Sequence, residues 1–385
     1  MRRSRRGAIA AMAALALAAA TAAVLRSHAL ESFLARRAAR RAELAPAGPH
    51  GRPLRPAPLV SRGRKVVASG QGAEALVDGR LRSQESWAGG LPTPERPAWA
   101  AIRIGSGPSR LLVSFTSSHN HDWFEQFYGA PVDYRIEVSG DSTDGRDGAW
   151  RTAVAVTGNP VRSRAHAIDF AGASWVRLVV TRLPDRVNPW GLFLDEIEVH
   201  DLSLGGDDVW LFLGDSITAA VFDRAEPRRP SFPDAVARLH PGYRPAMIDA
   251  GLVRVRSGDL LARIDELLAL APDARVIAIG VGSNDGDLEA FRRGLAGLVA
   301  RIEAAGRIPV VARIPFRTGD ATGWTRQKNE ALDAVVRRAG LLPGPDLYSW
   351  FEAHPERLAD GLHPDDRGAV EASRLWAEAV APLYP

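Results

Sequence analysis

The 385-residue chain has no cysteine. That excludes disulfides, thiolate catalysis and cysteine-ligated zinc. It does not fix the compartment, because an exported bacterial protein need not carry disulfides. Cations other than arginine are nearly missing too. So is a basic body: the first 65 residues hold 14 Lys/Arg against 2 Asp/Glu, net +12, and the remainder is −8. The overall +4 therefore belongs to a tail. A mildly acidic body is not built to track phosphates, so no nucleic-acid partner is expected.

Only one long stretch is free of charge. "GAIAAMAALALAAATAAVL", 7–25, follows the basic "MRRSRR". A basic start and an apolar run read as an export signal, yet the run is also just long enough to span a bilayer. Residues 1–29 are thus a signal peptide or a signal anchor, with membrane attachment through 7–25 in the second case. The expected location is extracellular, periplasmic or anchored to the envelope. Residues 30–64 are expected to be a basic helix, "LESFLARRAARRAEL", and a Pro/Gly-rich linker, 45–64. The helix suits either a solvated linker or contact with anionic lipid heads. The linker composition predicts an extended tether without a packed core.

Residues 65–203 read as strands. "RLLVSF" (110–115), "VDYRIEV" (132–138), "SWVRLVV" (174–180) and "LDEIEVH" (194–200) mix β-branched and aromatic residues between polar turn clusters. Short strands without a long helical period predict an antiparallel β-sandwich. The loop "SSHNHDWFEQFYG", 117–129, offers Trp123 and Tyr128 as rings that stack on a sugar or plug the core. His119 and His121 have no evident third metal ligand.

"LVDGRLRSQESW", "WAAIRIG", "DYRIEVSGDSTDGRDGAWRTAV", "WVRLVVT" and "LDEIEVHD", in that order, resemble the galactose-binding-like, discoidin-type jelly roll. The resemblance covers about 130 residues and implies a module whose loops bind sugar. It also implies a possible structural calcium, for which Asp78 and Glu198 are the candidate metal ligands; hard oxygen donors suit that ion.

Residues 207–385 change pattern. "VWLFLG" (209–214), "AMIDAG" (246–251), "RVIAIGVG" (275–282) and "RIPVVARIP" (307–315) each precede a helical stretch. Repeated β-then-α units predict an α/β three-layer sandwich with a parallel sheet, whose ligands bind beyond the carboxyl ends of the strands. Ser216 follows the first strand, Gly258 the second ("RSGD") and Asn284 the third ("GVGSND"). Asp360 and His363 ("ADGLHPD") precede the last helix.

These blocks, in this order, resemble the SGNH (GDSL-type) hydrolases over about 175 residues, and so imply a flavodoxin-like SGNH fold. The serine hydroxyl needs a base to become a nucleophile. His363 can take its proton, and Asp360, three residues earlier, can fix the imidazole. The resemblance assigns the oxyanion hole to the Ser216 and Gly258 backbone N–H groups and the Asn284 side chain. Two places depart from the family pattern. Asp249 stands where the second block usually begins with Asn, which leaves Gly251 as a rival to Gly258. Ser283 stands where a second glycine is common. Asp215 is expected to brace the turn, and Trp324 either rims the pocket or covers a helix.

The sequence therefore points to an exported serine esterase acting on O-acyl, foremost O-acetyl, esters of a polysaccharide or glycoconjugate. No catalytic cofactor is implied. A lipid esterase or thioesterase at the envelope stands as an alternative. A carbohydrate-binding protein on an inactive hydrolase scaffold is less expected, because Ser216, Asp360 and His363 are all intact.

Overall fold

The computed structural model describes residues 27–80, 86–117, 130–185, 191–222 and 231–385. It opens with a helix, α1, residues 27–44. One face carries the small side chains Ala35, Ala38, Ala39 and Ala42, all buried. Alanine lets the helix backbone come close: a Cβ on Gly242 would lie 2.5 Å from the Leu34 carbonyl oxygen. Leu30, Phe33 and Leu44 remain exposed. Among the described residues no helix is long and apolar enough to cross a membrane, and residues 7–25 lie outside them.

The Pro/Gly-rich segment 45–64 is not the loose tether its composition predicts. Leu54, Ala57, Leu59 and Ser61 are buried. The Leu54 N–H donates to the Leu383 carbonyl at 2.8 Å, and Tyr243 Oη donates to the Leu54 carbonyl at 2.9 Å. Further along, Val60 N donates to the Val199 carbonyl at 2.7 Å, and Asp201 N to the Pro58 carbonyl at 2.8 Å. The segment is a strap laid across both folded regions. A proline-rich chain is already extended, so it loses little conformational entropy on docking.

The first folded region is antiparallel. A five-stranded sheet runs in the order β1 (Val66–Ala68), β3 (Ala98–Arg103), β8 (Trp175–Arg182), β5 (Asp133–Ser139), β6 (Arg151–Val156). A three-stranded sheet runs β10 (Glu196–Asp201), β4 (Arg110–Thr116), β7 (Ser163–Asp169), and β2 (Trp87–Gly90) pairs with β9 (Leu192–Leu194). Period-two alternation puts Leu111, Val113 and Phe115 of β4 into one core with Ile136 and Val138 of β5 and Val176 and Leu178 of β8. The opposite face of β4 is buried as well. Leu112, with Ala165 of β7, joins the core of the second region.

That second region is α/β, with a parallel sheet in the order β12 (Ala246–Gly251), β11 (Val209–Gly214), β13 (Val276–Gly280), β14 (Ile308–Val311). Strand β11 is buried along its whole length. Leu211 and Leu213 pack with Leu260 and Ile264 of α4 (Ser257–Leu270) and Leu295 and Leu298 of α5 (Leu288–Ala304). Trp210 and Phe212 face the other way, toward Phe232 and Val236 of α3 (Phe232–Leu239) and Trp376 of α8 (Asp366–Ala379). Two faces covered by helices explain the near-continuous apolar runs. The remaining helices are α2 (Ser216–Phe222), α6 (Trp324–Ala339) and α7 (Leu347–Ala353). Asp287 and Asp365 cap α5 and α8 by accepting the Ala290 and Gly368 N–H groups.

Candidate active site

The loops that leave β11, β12 and β13 meet at the carboxyl end of the sheet. Ser216 is the first residue of α2, two residues after Gly214, the last residue of β11. Its Oγ lies 2.9 Å from His363 Nε2, and His363 Nδ1 lies 2.7 Å from Asp360 Oδ2. Both contacts depend on a short loop. Leu358 bridges Pro364, Ala359 N donates to the His363 carbonyl at 2.8 Å, and Gly361 turns the chain at φ 81°. That left-handed turn suits glycine, and it aims two side chains three residues apart at each other.

Burial pushes the Asp360 carboxyl up. The N–H groups of His363 and Leu362 and the His363 ring outweigh it, and hold the group down at about 2. The carboxylate is thus ionised at neutral pH and can hold a proton on Nδ1. That leaves Nε2 with a lone pair toward Ser216.

Asp215 braces the turn. Its two oxygens accept the Ile217 N–H at 3.0 Å and the Ser283 N–H at 3.3 Å, which ties the first loop to the third. Burial raises its carboxyl to about 6. The second loop is tied in as well: Leu252 N donates to the Gly214 carbonyl at 2.8 Å, and Asn284 Nδ2 donates to the Val255 carbonyl at 3.1 Å. A primary amide has two N–H groups, so this bond leaves Asn284 one to spare.

The two candidate glycines differ. The Gly251 N–H donates to Asp249 Oδ1 at 2.8 Å. Gly258 sits in the first turn of α4, where backbone N–H groups have no intrahelical acceptor. A largely apolar cavity of about 30 Å³ is lined by residues on both sides of the serine, Asp215 and Ile217, with Val281, Ile314 and Trp376.

Four supporting residues are not among the candidates read from the sequence. Asp285 accepts the Ser257 N–H at 3.1 Å and its hydroxyl at 2.6 Å, which fixes the start of α4. Lys328, fully buried on α6, donates from Nζ to the Gly282 carbonyl at 2.5 Å and the Asp285 carbonyl at 3.3 Å. Those carbonyls flank Asn284. Burial lowers the lysine pKa, against the opposing attraction of Asp285. Asn329 holds both the N–H and the carbonyl of Ile314. The signal was a Lys-Asn pair on the apolar face of a helix, between Thr325 and Leu332. The fourth, Arg162 of the β-sandwich, pairs with Asp249. Trp324 resolves as a brace: its Nε1 donates to the Asp285 carbonyl at 3.3 Å.

Residues 212–370 match the GDSL-like lipase/acylhydrolase family. The C-terminal region is a GDSL-type acylhydrolase domain. The chain is accordingly a carboxylic ester hydrolase. No curated protein matches it. Among solved structures, it is similar to the lipase/acylhydrolase from Enterococcus faecalis (22% identity, TM-score 0.39, 46% of this chain and 97% of that one). It is also similar to an acetylxylan esterase from Geobacillus stearothermophilus (18%, 0.38, 45% and 94%). A third likeness is to chitosan-binding module 1 of a chitosanase/glucanase from Paenibacillus sp. IK-5 (24%, 0.29, 37% and 97%).

The remaining candidates belong to the first region of the chain. Trp123 and Tyr128 fall outside the described residues. Asp78 and Glu198, the candidate calcium ligands, lie in a cluster of charged side chains in the antiparallel region. Both lie near the fully buried Glu196; Arg62 Nη2 is 3.7 Å from Glu198 Oε1, and Arg80 Nε is 3.6 Å from Asp78 Oδ2. A Cβ on Gly79 would lie 2.0 Å from the Arg62 guanidinium. Among the described residues no three His, Cys, Asp or Glu side chains are grouped to hold a metal.

Proposed function

We propose that the chain is an exported serine esterase. It removes short O-acyl groups, foremost O-acetyl, from a polysaccharide or glycoconjugate. The observation that carries the reading is the continuous Ser216–His363–Asp360 contact within an acylhydrolase domain.

Ser216 Oγ attacks the ester carbonyl carbon while His363 Nε2 takes its proton. The carbonyl oxygen, now negative, is met by the Ser216 and Gly258 backbone N–H groups and the second amide N–H of Asn284. The carbon–oxygen bond to the alcohol breaks, and His363 returns the proton to the leaving oxygen. Water then repeats the sequence on the acyl-enzyme and releases the acid. Asp360 stays ionised throughout and steadies the imidazolium.

A carbohydrate substrate is supported by the resemblance of the antiparallel region to a galactose-binding-like jelly roll. Export, with or without anchoring through 7–25, is supported by the basic and apolar start of the chain.

The test follows acid release by the full chain from acetylated glycans and from aryl esters of increasing chain length, beside Ser216→Ala. Acetate release that is lost in the variant is expected. Rates that climb with chain length would make it a lipid esterase. Turnover that survives Ser216→Ala would overturn the serine mechanism.

A further inference from the structure

We propose that Arg162, supplied by the β-sandwich, is a positioning residue for the acylhydrolase reaction, acting through Asp249. The proposal rests on the esterase reading above.

Asp249 lies near the carboxyl end of β12, an edge strand of the parallel sheet, and is 3% exposed. Strand β7 of the sandwich packs along that edge. From the connection just before β7, the Arg162 guanidinium reaches Asp249 Oδ2, and its own side chain is only 12% exposed. An uncompensated carboxylate at such a depth is costly, so the pair is needed once the acid is there.

The other oxygen of Asp249 is engaged toward the chemistry. Oδ1 accepts the Gly251 N–H. Gly251 in turn lies against the nucleophile helix: a Cβ there would stand 2.5 Å from the Ala219 nitrogen. The next residue, Leu252, is bonded to Gly214, two residues before Ser216. The segment then runs through Arg254, held at φ 62°, the left-handed region that a side chain disfavours, before it delivers Gly258. One ion pair across the domain boundary thereby sets where the β12–α4 loop stands relative to Ser216. The sandwich is a structural part of the active site, whatever else its loops bind.

The experiment measures kcat and KM of the full chain on p-nitrophenyl acetate, with a thermal melt for each variant. The variants are Ser216→Ala, Arg162→Met, and Arg162→Met combined with Asp249→Asn or with Asp249→Ala. Arg162→Met should lower kcat by about tenfold or more with KM little changed, as expected when a group acting only in the transition state is displaced. Adding Asp249→Asn should restore most of kcat, because the amide oxygen still accepts the Gly251 N–H and no charge is left buried. Adding Asp249→Ala should not.

A folded Arg162→Met with parental kcat, or a loss that falls on KM alone, overturns the proposal. Equal kcat in the two double variants does so too, and they remain readable if Arg162→Met fails to fold, since neither buries a charge. Activity in Ser216→Ala would instead bring down the esterase reading. An inactive Ser216→Ala beside equal double variants brings down the role of Arg162 alone.

Discussion

The parallel sheet and the three-stranded antiparallel sheet are both buried on two faces, but by different means. Around β11 each face is covered by helices of the same region, α4 and α5 on one side, α3 and α8 on the other. Around β4 one face meets its own sandwich, and the other meets the neighbouring acylhydrolase core through Leu112. The first sheet is self-sufficient at its centre. The second is finished only by a neighbour. Chemistry sits on the self-sufficient sheet, and its edge strand β12 is where it borrows from the other.

The largest effect that sharpens this contrast is Ser216→Ala. It should cut turnover by about 10⁴-fold or more while leaving the melting temperature unmoved, because only the chemistry of the central sheet is touched. A comparable loss of stability would mean that the site and the scaffold are not separable. Next, Asn284→Ala should lower kcat by about 10²-fold, the usual scale for one oxyanion donor. An unchanged kcat with normal folding would remove Asn284 from that role.

The third probe breaks the borrowed face. Leu112→Ala deletes a fully buried side chain at the domain boundary and should cost about 2–5 kcal/mol. In calorimetry it should lower a single unfolding transition for the whole body. Two transitions, with only the sandwich shifted, would show that the faces are independent.

The smallest effect concerns pH. Asp208, buried just before β11, accepts from Trp210 Nε1 at 2.8 Å and Tyr384 Oη at 3.2 Å. Burial still raises its carboxyl to about 7. A raised carboxyl binds its proton more tightly in the folded state. Its stabilising contribution is therefore complete below the unfolded value near 4 and is lost as pH rises through 7. Asp208→Asn should flatten the fall in stability between pH 4 and 8, by about 1–3 kcal/mol at the upper end. An identical slope in denaturant melts at several pH values would contradict this.

The acylhydrolase region was legible because parallel α/β architecture writes its site locally. Each candidate (Ser216, Gly258, Asn284, His363) stands just after an apolar run or just before a helix, and sequence distance is enough to place it. The supports were not legible, since Lys328, Asp285 and Arg162 act on backbone or side chains from other elements. Composition misled at the strap, where Pro and Gly hid five buried residues. Leu112 and its neighbours read as one ordinary strand, because nothing local says that the second apolar face is to be buried by another domain.

The strap also sets an order of events. Leu54 is bonded to Leu383, far along the chain and beyond the last strand and the last α-helix of the acylhydrolase region. A segment that leaves the ribosome early has to wait for a residue made much later before it can close. Until then the strap's apolar residues and the floor it covers are both bare. Anything that acts on the unfinished chain, whether a chaperone or a protease, meets that stretch while it is still open.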